Sequence, residues 1–248
     1  MAIDYYPIEK QAIGNFNNGE ILEKKPVGFP QDKGILKPYS NIFYWAHAWT
    51  TGKRSTIGLH PHQGFEICTF VLKGSINHYD TFLKRWIRLN EGDVQIIKSG
   101  SGISHSEEIL ENSEIFQIWF DPNLSKSLKK AASYSDFKKN DFNISNHENF
   151  SVRLIHHPAS KIYLDSENII IKEYIFKPSY IANLFIENGK INSFFVVDGQ
   201  VSINGVNLSK GDFFTVKKIR NIKIETINDT KLFEISSPIN PSYRTYFG

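Results

Sequence analysis

Short runs of β-branched and aromatic residues recur along the chain, and Gly, Asn, Asp or Pro separates each run from the next. Runs of this length and composition, bounded by turn residues, are typical of β-strands. We predict strands at 66–72, 94–98, 115–120, 169–176, 192–197, 201–204, 212–216, 222–226 and 231–236. Many short strands with regular turn signals indicate an all-β chain of the sandwich or barrel type.

Helical periodicity is scarce, and one segment is the best candidate for a helix. It covers 123–134, follows Pro122 and has Ser125 as a candidate N-terminal cap. The segment opens a stretch rich in Lys, Ser and Asn that lies between two strand-rich blocks. We therefore predict an N-terminal domain at 1–122, a linker with a short helix at 123–150 and a C-terminal domain at 151–248.

The two strand-rich blocks share two short motifs. Phe-Val-Leu-Lys-Gly at 70–74 recurs as Phe-Val-Val-Asp-Gly at 195–199, and Gly-Asp at 92–93 recurs at 211–212. A glycine before Asp fits a turn in which φ is positive. Unrelated β-hairpins can look this similar, but two related β-barrels in tandem explain both matches together, and we prefer this interpretation.

Histidine and glutamate recur at short spacing in the first block. One residue separates His60 from His62, and one residue separates His105 from Glu107. Because side chains alternate along a strand, the two members of each pair point to the same side. If the two strands face each other, three imidazoles and one carboxylate converge. This donor set suits a first-row transition metal with positions left open for other ligands.

Two carboxylates compete for the fourth ligand position. Glu107 lies beside His105 on the same strand face, whereas about 13 Å of extended strand separates Glu66 from His62. Glu66 would reach the metal only if the chain bends, so we choose Glu107 as the ligand and place Glu66 near the pocket. The alternative is that His60 and His62 lie on a solvated strand face. The presence of the second pair, His105 and Glu107, makes this the weaker interpretation.

Further residues are assigned from strand parity alone. Gln117 and Trp119 share a strand face and are candidates for the pocket wall. The histidines at 47, 78, 147, 156 and 157 have no partner at ligand spacing on one strand face, so we predict surface or structural roles for them.

The second block has no equivalent histidines, because none follows His157. Counting from the glycines of the shared motifs places Phe185, Glu187, Ile224 and Thr226 at the four ligand positions. One barrel is therefore predicted to hold a metal, and the other is not.

Composition and charge narrow the classes of function. Lys and Arg number 29 against 26 Asp and Glu, which is weak evidence for nucleic-acid binding, and we expect none. The single cysteine, Cys68, excludes an intramolecular disulfide and a thiolate zinc cluster within one chain. No apolar run approaches the roughly 20 residues that span a bilayer, and the first residues do not resemble a secretory signal. We expect a cytoplasmic protein without membrane contact.

Several segments of the chain form one combined pattern. They are His60-Pro61-His62-x-Gly64-Phe65-Glu66, Gly92-Asp93-Val94-Gln95, Gly100-x-Gly102-Ile103-x-His105-Ser106-Glu107, Gln117-Ile118-Trp119 and, more loosely, 201–205. The pattern resembles the pirin family of the cupin superfamily, strongly in the first half of the chain. The resemblance implies two jelly-roll-like cupin barrels in tandem, a bicupin, with metal ligands at His60, His62, His105 and Glu107. The sequence departs from the family at Gln63, where Arg is frequent, and at 96–99.

The resemblance implies alternative functions. Some bacterial members are quercetin 2,3-dioxygenases. The first hypothesis is therefore an oxidoreductase that uses dioxygen to cleave a flavonol or similar small molecule, with Glu107 also accepting the substrate's hydroxyl proton. The cofactor would be one divalent transition metal, with Fe(II) as the first choice and Mn, Ni, Cu or Zn as alternatives. Other members are described as transcriptional cofactors, so the second hypothesis is a metal-binding regulatory protein with a protein partner and no turnover. A third is another cupin activity on an unrelated small molecule.

Overall fold

The structure is a computed structural model that describes residues 2–247. Strands contain 56% of the residues and helices 5%, so the predicted all-β class is confirmed. The strands are β1 (Ile3–Tyr6), β2 (Ala12–Phe16), β3 (Ile21–Val27), β4 (Ile42–Thr50), β5 (Ser55–His62), β6 (Glu66–Lys73), β7 (Ser75–Asp80), β8 (Trp86–Asn90), β9 (Val94–Lys98), β10 (Ile103–Ile109), β11 (Glu114–Phe120), β12 (Ser133–Phe137), β13 (Asn143–Asn146), β14 (Phe150–His156), β15 (Ile170–Phe176), β16 (Ile181–Phe185), β17 (Lys190–Asp198), β18 (Gln200–Ile203), β19 (Val206–Ser209), β20 (Phe213–Lys217), β21 (Asn221–Thr226) and β22 (Thr230–Pro238).

Helical structure within residues 2–247 is limited to short segments. The α-helix α1 covers Leu124–Ser127, and 3-10 turns cover Ile8–Lys10, Asn17–Gly19 and Lys139–Asp141. The predicted helix at 123–134 is therefore wrong beyond its first turn. Tyr134 lies instead in β12, where it packs against the buried cluster of Ile67, Ile97 and Ile103. Pairing of β12 with β9 satisfies the backbone of this segment and also packs the partly buried Tyr134 ring against this cluster. No helix among the described residues is long and apolar enough to cross a membrane.

The chain forms two compact units. The N-terminal unit contains 11–141 and 243–247, and the C-terminal unit contains 2–10 and 142–242. This differs from the predicted limits 1–122 and 151–248, which assign residues by position in the chain alone. The first strand, β1, belongs to the C-terminal unit because it pairs with β20 along its whole length. The predicted linker at 123–150 is divided, since β12 pairs with β9 in one unit and β13 with β14 in the other.

Each unit consists of two antiparallel sheets over the described residues. In the N-terminal unit their strand orders are β12-β9-β6-β11-β4-β3-β2 and β5-β10-β7-β8. In the C-terminal unit they are β1-β20-β17-β22-β15-β14-β13 and β16-β21-β18-β19. In each unit, buried aliphatic and aromatic side chains from both sheets pack together, so each unit is a jelly-roll sandwich. The two strand orders correspond strand for strand.

The shared turns support the predicted repeat. Gly92 and Gly211 have φ of 86° and 94°, as the Gly-Asp motif predicts. The N–H of Gly92 donates to the carbonyl of Val71 at 2.8 Å, and Gly211 donates to Val196 at the same distance. Equivalent turns therefore connect equivalent strands in the two units.

A buried carboxylate holds the C-terminal tail of the chain on the N-terminal unit. Tyr246 N donates to Asp121 Oδ2, and Tyr243 Oη donates to the Asp121 carbonyl at 2.9 Å. Burial raises the pKa of Asp121 from 3.8 to about 6, although the hydrogen bond from Tyr246 lowers it in part. A raised pKa means that this group favours folding most below pH 4 and that its contribution is lost as the pH rises through 6.

We expect Asp121→Asn to remove this pH dependence. Relative to the wild type, the unfolding free energy of the variant should increase by up to about 3 kcal/mol between pH 4 and pH 8, because about two pKa units are involved. Urea unfolding at intervals between these pH values measures the difference. Asp229→Asn, at an exposed carboxylate, is the matched control. A difference for Asp121→Asn that stays constant with pH would contradict the prediction.

Candidate metal centre

Two neighbouring strands of the four-stranded sheet, β5 and β10, carry the candidate ligands. His60 lies directly opposite His105, and His62 lies opposite Ile103. Within the described residues, β5 is an edge strand of its sheet. Pro61, which cannot donate a backbone hydrogen bond, fits such a strand. Alternation along β5 then directs both of its histidines towards His105.

The structure brings the three imidazoles together. Nε2 of His105 lies 2.9 Å from Nε2 of His62 and 2.9 Å from Nε2 of His60. One ligand atom from each of the three lies within 4.8 Å of the other two. Nitrogen lone pairs at such distances repel each other unless a proton or a cation lies between them. The three facing Nε2 atoms therefore fit a metal ion, for which imidazole is a common ligand.

A bulge in β5 orients the first histidine. The pairing of β5 with β10 shifts register between His105 and Glu107, so that three steps along β5 correspond to two along β10. The bulge exposes the carbonyl of Gly58, to which Nδ1–H of His60 donates at 2.7 Å. This bond keeps the proton on Nδ1 and leaves the Nε2 lone pair of His60 free for a metal.

Burial keeps the other two imidazoles neutral. It lowers the pKa of His62 to about 3 and that of His105 to about 2, and the neighbouring imidazoles add to the shift. Metal ligation requires neutral imidazole. His62 and His105 are therefore in the protonation state that metal binding requires.

The carboxylate of Glu107 lies next to this group and is bonded to Gln117, one of the two predicted wall residues. Glu107 Oε2 is 4.0 Å from His105 Nε2, and Gln117 Nε2 donates to both carboxylate oxygens at 2.9 and 2.8 Å. Trp119 Nε1 donates to Gln117 Oε1 at 3.0 Å, and its ring meets the ring of His62 edge to face at 4.8 Å. The structure therefore connects Trp119, Gln117 and Glu107 in one chain of hydrogen bonds beside the histidines.

Glu66 takes a different position. It is buried at the start of β6, and its Oε1 lies 3.6 Å from Nζ of Lys98. Among the described residues, the group whose ligand atoms all lie within 4.8 Å of one another contains the three histidines and neither Glu66 nor Glu107. Glu107 is the carboxylate that lies 4.0 Å from His105 Nε2.

Two residues beside the site were not predicted to be part of it. His78 is fully buried in β7, and its Nε2 lies 3.3 Å from Nδ1 of His105. Gln95 in β9 follows, with Nε2 3.1 Å from the other ring nitrogen of His78. A signal for His78 existed, because His78 and Asp80 have the same spacing along a strand as His60 and His62. The spacing alone does not place His78 beside His105, because that depends on the pairing of β7 with β10.

Strand pairing corrects the predicted counterparts of the ligands in the C-terminal unit. Gly199 is equivalent to Gly74, and from it the pairing of β18 with β21 and of β21 with β16 identifies the equivalent residues. Aliphatic residues occupy all four positions that are equivalent to the candidate ligands. The counterparts of His60, His62, His105 and Glu107 are Leu184, Ile186, Ile222 and Ile224, all of which are buried in the core. The earlier count gave Phe185, Glu187, Ile224 and Thr226, because it ignored differences in loop length. An apolar core therefore occupies the place of the metal centre.

Comparison with known proteins agrees with this architecture. The Pirin family profile matches residues 37–120. The Zymomonas mobilis protein named "Putative quercetin 2,3-dioxygenase ZMO1337" is 30% identical over 231 residues, which cover 80% of this chain and 95% of that protein. The Escherichia coli K12 protein named quercetin 2,3-dioxygenase is 38% identical over 68 residues, covering 26% of this chain and 29% of that protein.

A solved structure with the same fold extends the comparison over the whole chain. The crystal structure of the bacterial pirin YhhW from Escherichia coli in complex with nickel(II) superposes with a TM-score of 0.79 at 20% identity. The match covers 95% of this chain and 99% of the other. Together with the relative that is similar over nearly its whole length, these matches show that the chain belongs to the pirin family.

Proposed function

We propose that the protein is a metal-dependent dioxygenase of the quercetin 2,3-dioxygenase type. The observation that carries the proposal is the convergence of three imidazole nitrogens beside a buried carboxylate. We assign His60, His62 and His105 as metal ligands and Glu107 as the fourth ligand. The substrate would be a flavonol or a similar compound that presents adjacent hydroxyl and carbonyl oxygens.

One divalent ion fits this donor set, and we propose iron(II). Imidazole and carboxylate also suit manganese, nickel, copper and zinc, and the Escherichia coli relative was crystallised with nickel(II). When bound, iron(II) would supply Lewis-acid and one-electron redox chemistry. The protein's own contribution is to hold the ligands, position a proton acceptor and exclude water.

Glu107 is the group that would accept the substrate's hydroxyl proton. Its two oxygens are held by Gln117 Nε2, which fixes the direction in which the carboxylate faces. A carboxylate within hydrogen-bond reach of a hydroxyl can act as a general base. Gln117 and Trp119 would therefore act through Glu107 by positioning it.

The surroundings of the histidines suit a planar aromatic molecule. The Trp119 ring contacts His62, and further aromatic rings pack against Trp119. Their centroid separations are 4.4 Å for Phe29 and Tyr44 and 4.5 Å for Phe43 and Phe65. An open cavity of about 490 Å³ also reaches His62 and is lined by uncharged residues, among them Gln63, Thr81 and Ser101. This volume is sufficient for a ligand of flavonol size.

Oxygen uptake with quercetin tests the proposal. Protein loaded anaerobically with iron(II), with its metal content quantified, is compared with the same protein without metal and with His62→Ala. We expect uptake only in the loaded wild type, since the variant lacks one ligand. No uptake by fully loaded wild type would refute this substrate. The metal-binding regulatory protein and a different small-molecule activity would then be tested next.

A further inference from the structure

A fourth imidazole lies behind the metal centre. His78 is fully buried on β7, where it is directly opposite Glu107, and the neighbouring Asp80 is opposite His105. The ring centroids of His78 and His105 are 5.4 Å apart, and Nε2 of His78 faces Nδ1 of His105 at 3.3 Å. His78 therefore touches the side of His105 that points away from the other two candidate ligands.

The direction of this contact follows from the placement of the proton on His105. Its Nε2 faces the Nε2 atoms of His60 and His62, so a metal would bind there and would need the Nε2 lone pair. Neutral His105 then carries its proton on Nδ1. That N–H can donate to Nε2 of His78 only if His78 carries its own proton on Nδ1.

One acceptor beside Nδ1 of His78 meets this requirement. Asp80 Oδ2 lies 3.7 Å from Nδ1, whereas Gln95 Nε2, 3.1 Å from the same atom, is a donor that is already bonded to Asp136 Oδ1. Among the described residues, Asp80 Oδ2 has no hydrogen-bond partner, although it is buried. Buried acceptors without a partner are rare in folded proteins, so a donor is expected at this place.

The polar groups behind His78 are themselves held in place. The N–H groups of Phe82 and Leu83 donate to Asp80 Oδ1 at 2.8 and 2.7 Å, which fixes the carboxylate and leaves Oδ2 directed elsewhere. The amide of Gln95 is fixed by donation from Nε2 to Asp136 Oδ1 at 2.8 Å. The group behind His78 is therefore a rigid polar support.

We propose that His78 is a positioning residue for the metal centre. It accepts Nδ1–H of His105, which holds the His105 ring in the orientation and the tautomer that metal binding at Nε2 requires. Asp80 in turn keeps the proton of His78 on Nδ1. The proposal rests on the metal centre of the proposed function and not on its substrate.

Metal affinity in two His78 variants tests the proposal. His78→Phe keeps a ring of similar size and removes the acceptor, whereas His78→Gln places an amide oxygen near the position of Nε2. Loss of a group that orients a metal ligand typically weakens binding by about 10–100-fold. We expect a loss of this size for His78→Phe and recovery to within a few-fold of wild type for His78→Gln.

The dissociation constant is measured by chelator competition with nickel(II), so that no turnover is required. His47→Phe is the matched control, because His47 is another buried histidine of the same unit that pairs with Glu114 instead. Equal affinity of His78→Phe and wild type, or no recovery in His78→Gln, would overturn the proposal. If wild type binds nickel(II) tightly but does not consume oxygen, the proposed function fails. The nickel(II) affinities of the variants still test the role of His78, because they do not depend on turnover.

A measurement on the unmodified protein covers the case in which a variant does not fold. Zinc(II)-loaded protein with ¹⁵N-labelled histidine gives the tautomer of each ring by NMR. We expect the proton on Nδ1 in both His105 and His78. A proton on Nε2 of His78 would refute the proposal directly.

Discussion

His105→Ala is expected to abolish metal binding and, with it, oxygen uptake. His105 is fully buried, and its Nε2 is the atom that lies 2.9 Å from both other imidazoles, so its removal breaks the centre of the ligand set. The loss in metal affinity should exceed the roughly 100-fold that removal of an orienting partner can cause. Metal content after dialysis against a chelator, followed by oxygen uptake per protein molecule, measures the effect.

His147→Ala is the matched control for this experiment. His147 is an exposed histidine of the C-terminal unit that stacks on Phe150, with ring centroids 4.3 Å apart. We expect this variant to keep the metal content and activity of the wild type. Stoichiometric metal in His105→Ala would show that the ion binds elsewhere, and the assigned ligand set would be wrong.

Glu107→Gln is expected to lower turnover by about 10²–10⁴-fold, the usual contribution of a general base. The substitution keeps the size of the side chain and removes the negative charge that accepts the proton. Because Glu107 is also the proposed fourth ligand, turnover is expressed per bound iron, and the metal content is quantified for every sample. The rate constant at saturating quercetin and its pH profile are the measurements.

The adjacent Glu108→Gln provides the control for Glu107→Gln. Glu108 points to the other face of β10, where Asn77 Nδ2 donates to it at 2.6 Å, so we expect no change in turnover. Full turnover of Glu107→Gln at full metal loading would mean that another group accepts the proton. If Glu107→Gln loses metal but keeps the wild-type turnover per bound iron, Glu107 acts as a metal ligand and not as a proton acceptor.

Local patterns in the sequence were sufficient for the nine predicted strands and for the strand faces that carry the candidate ligands, but not for the other strands. The run 94–98 is the strand β9 with the predicted limits, because its β-branched residues lie between a Gly-Asp turn and a glycine-rich loop. Strand parity also placed Gln117 and Trp119 on the face where they contact Glu107 and His62. These are relations between residues a few positions apart, which alternation along a strand determines.

Relations between distant segments could not be predicted in the same way. The role of His78 depends on the register of β7 against β10, and the position of β1 depends on its pairing with β20. The predicted helix failed because Tyr134 has a buried apolar cluster to pack against only after the sheet has formed. Tertiary contacts of this kind override local propensity.

The aliphatic counterparts of the ligands make the C-terminal unit a natural recipient for a transplanted metal centre. Leu184, Ile186 and Ile222 mark the three positions at which histidines would be introduced. A graft limited to these positions would set the new imidazole at 222 against Ile203, the counterpart of His78, which offers no hydrogen-bond acceptor. A working transplant therefore has to carry the polar support as well as the ligands.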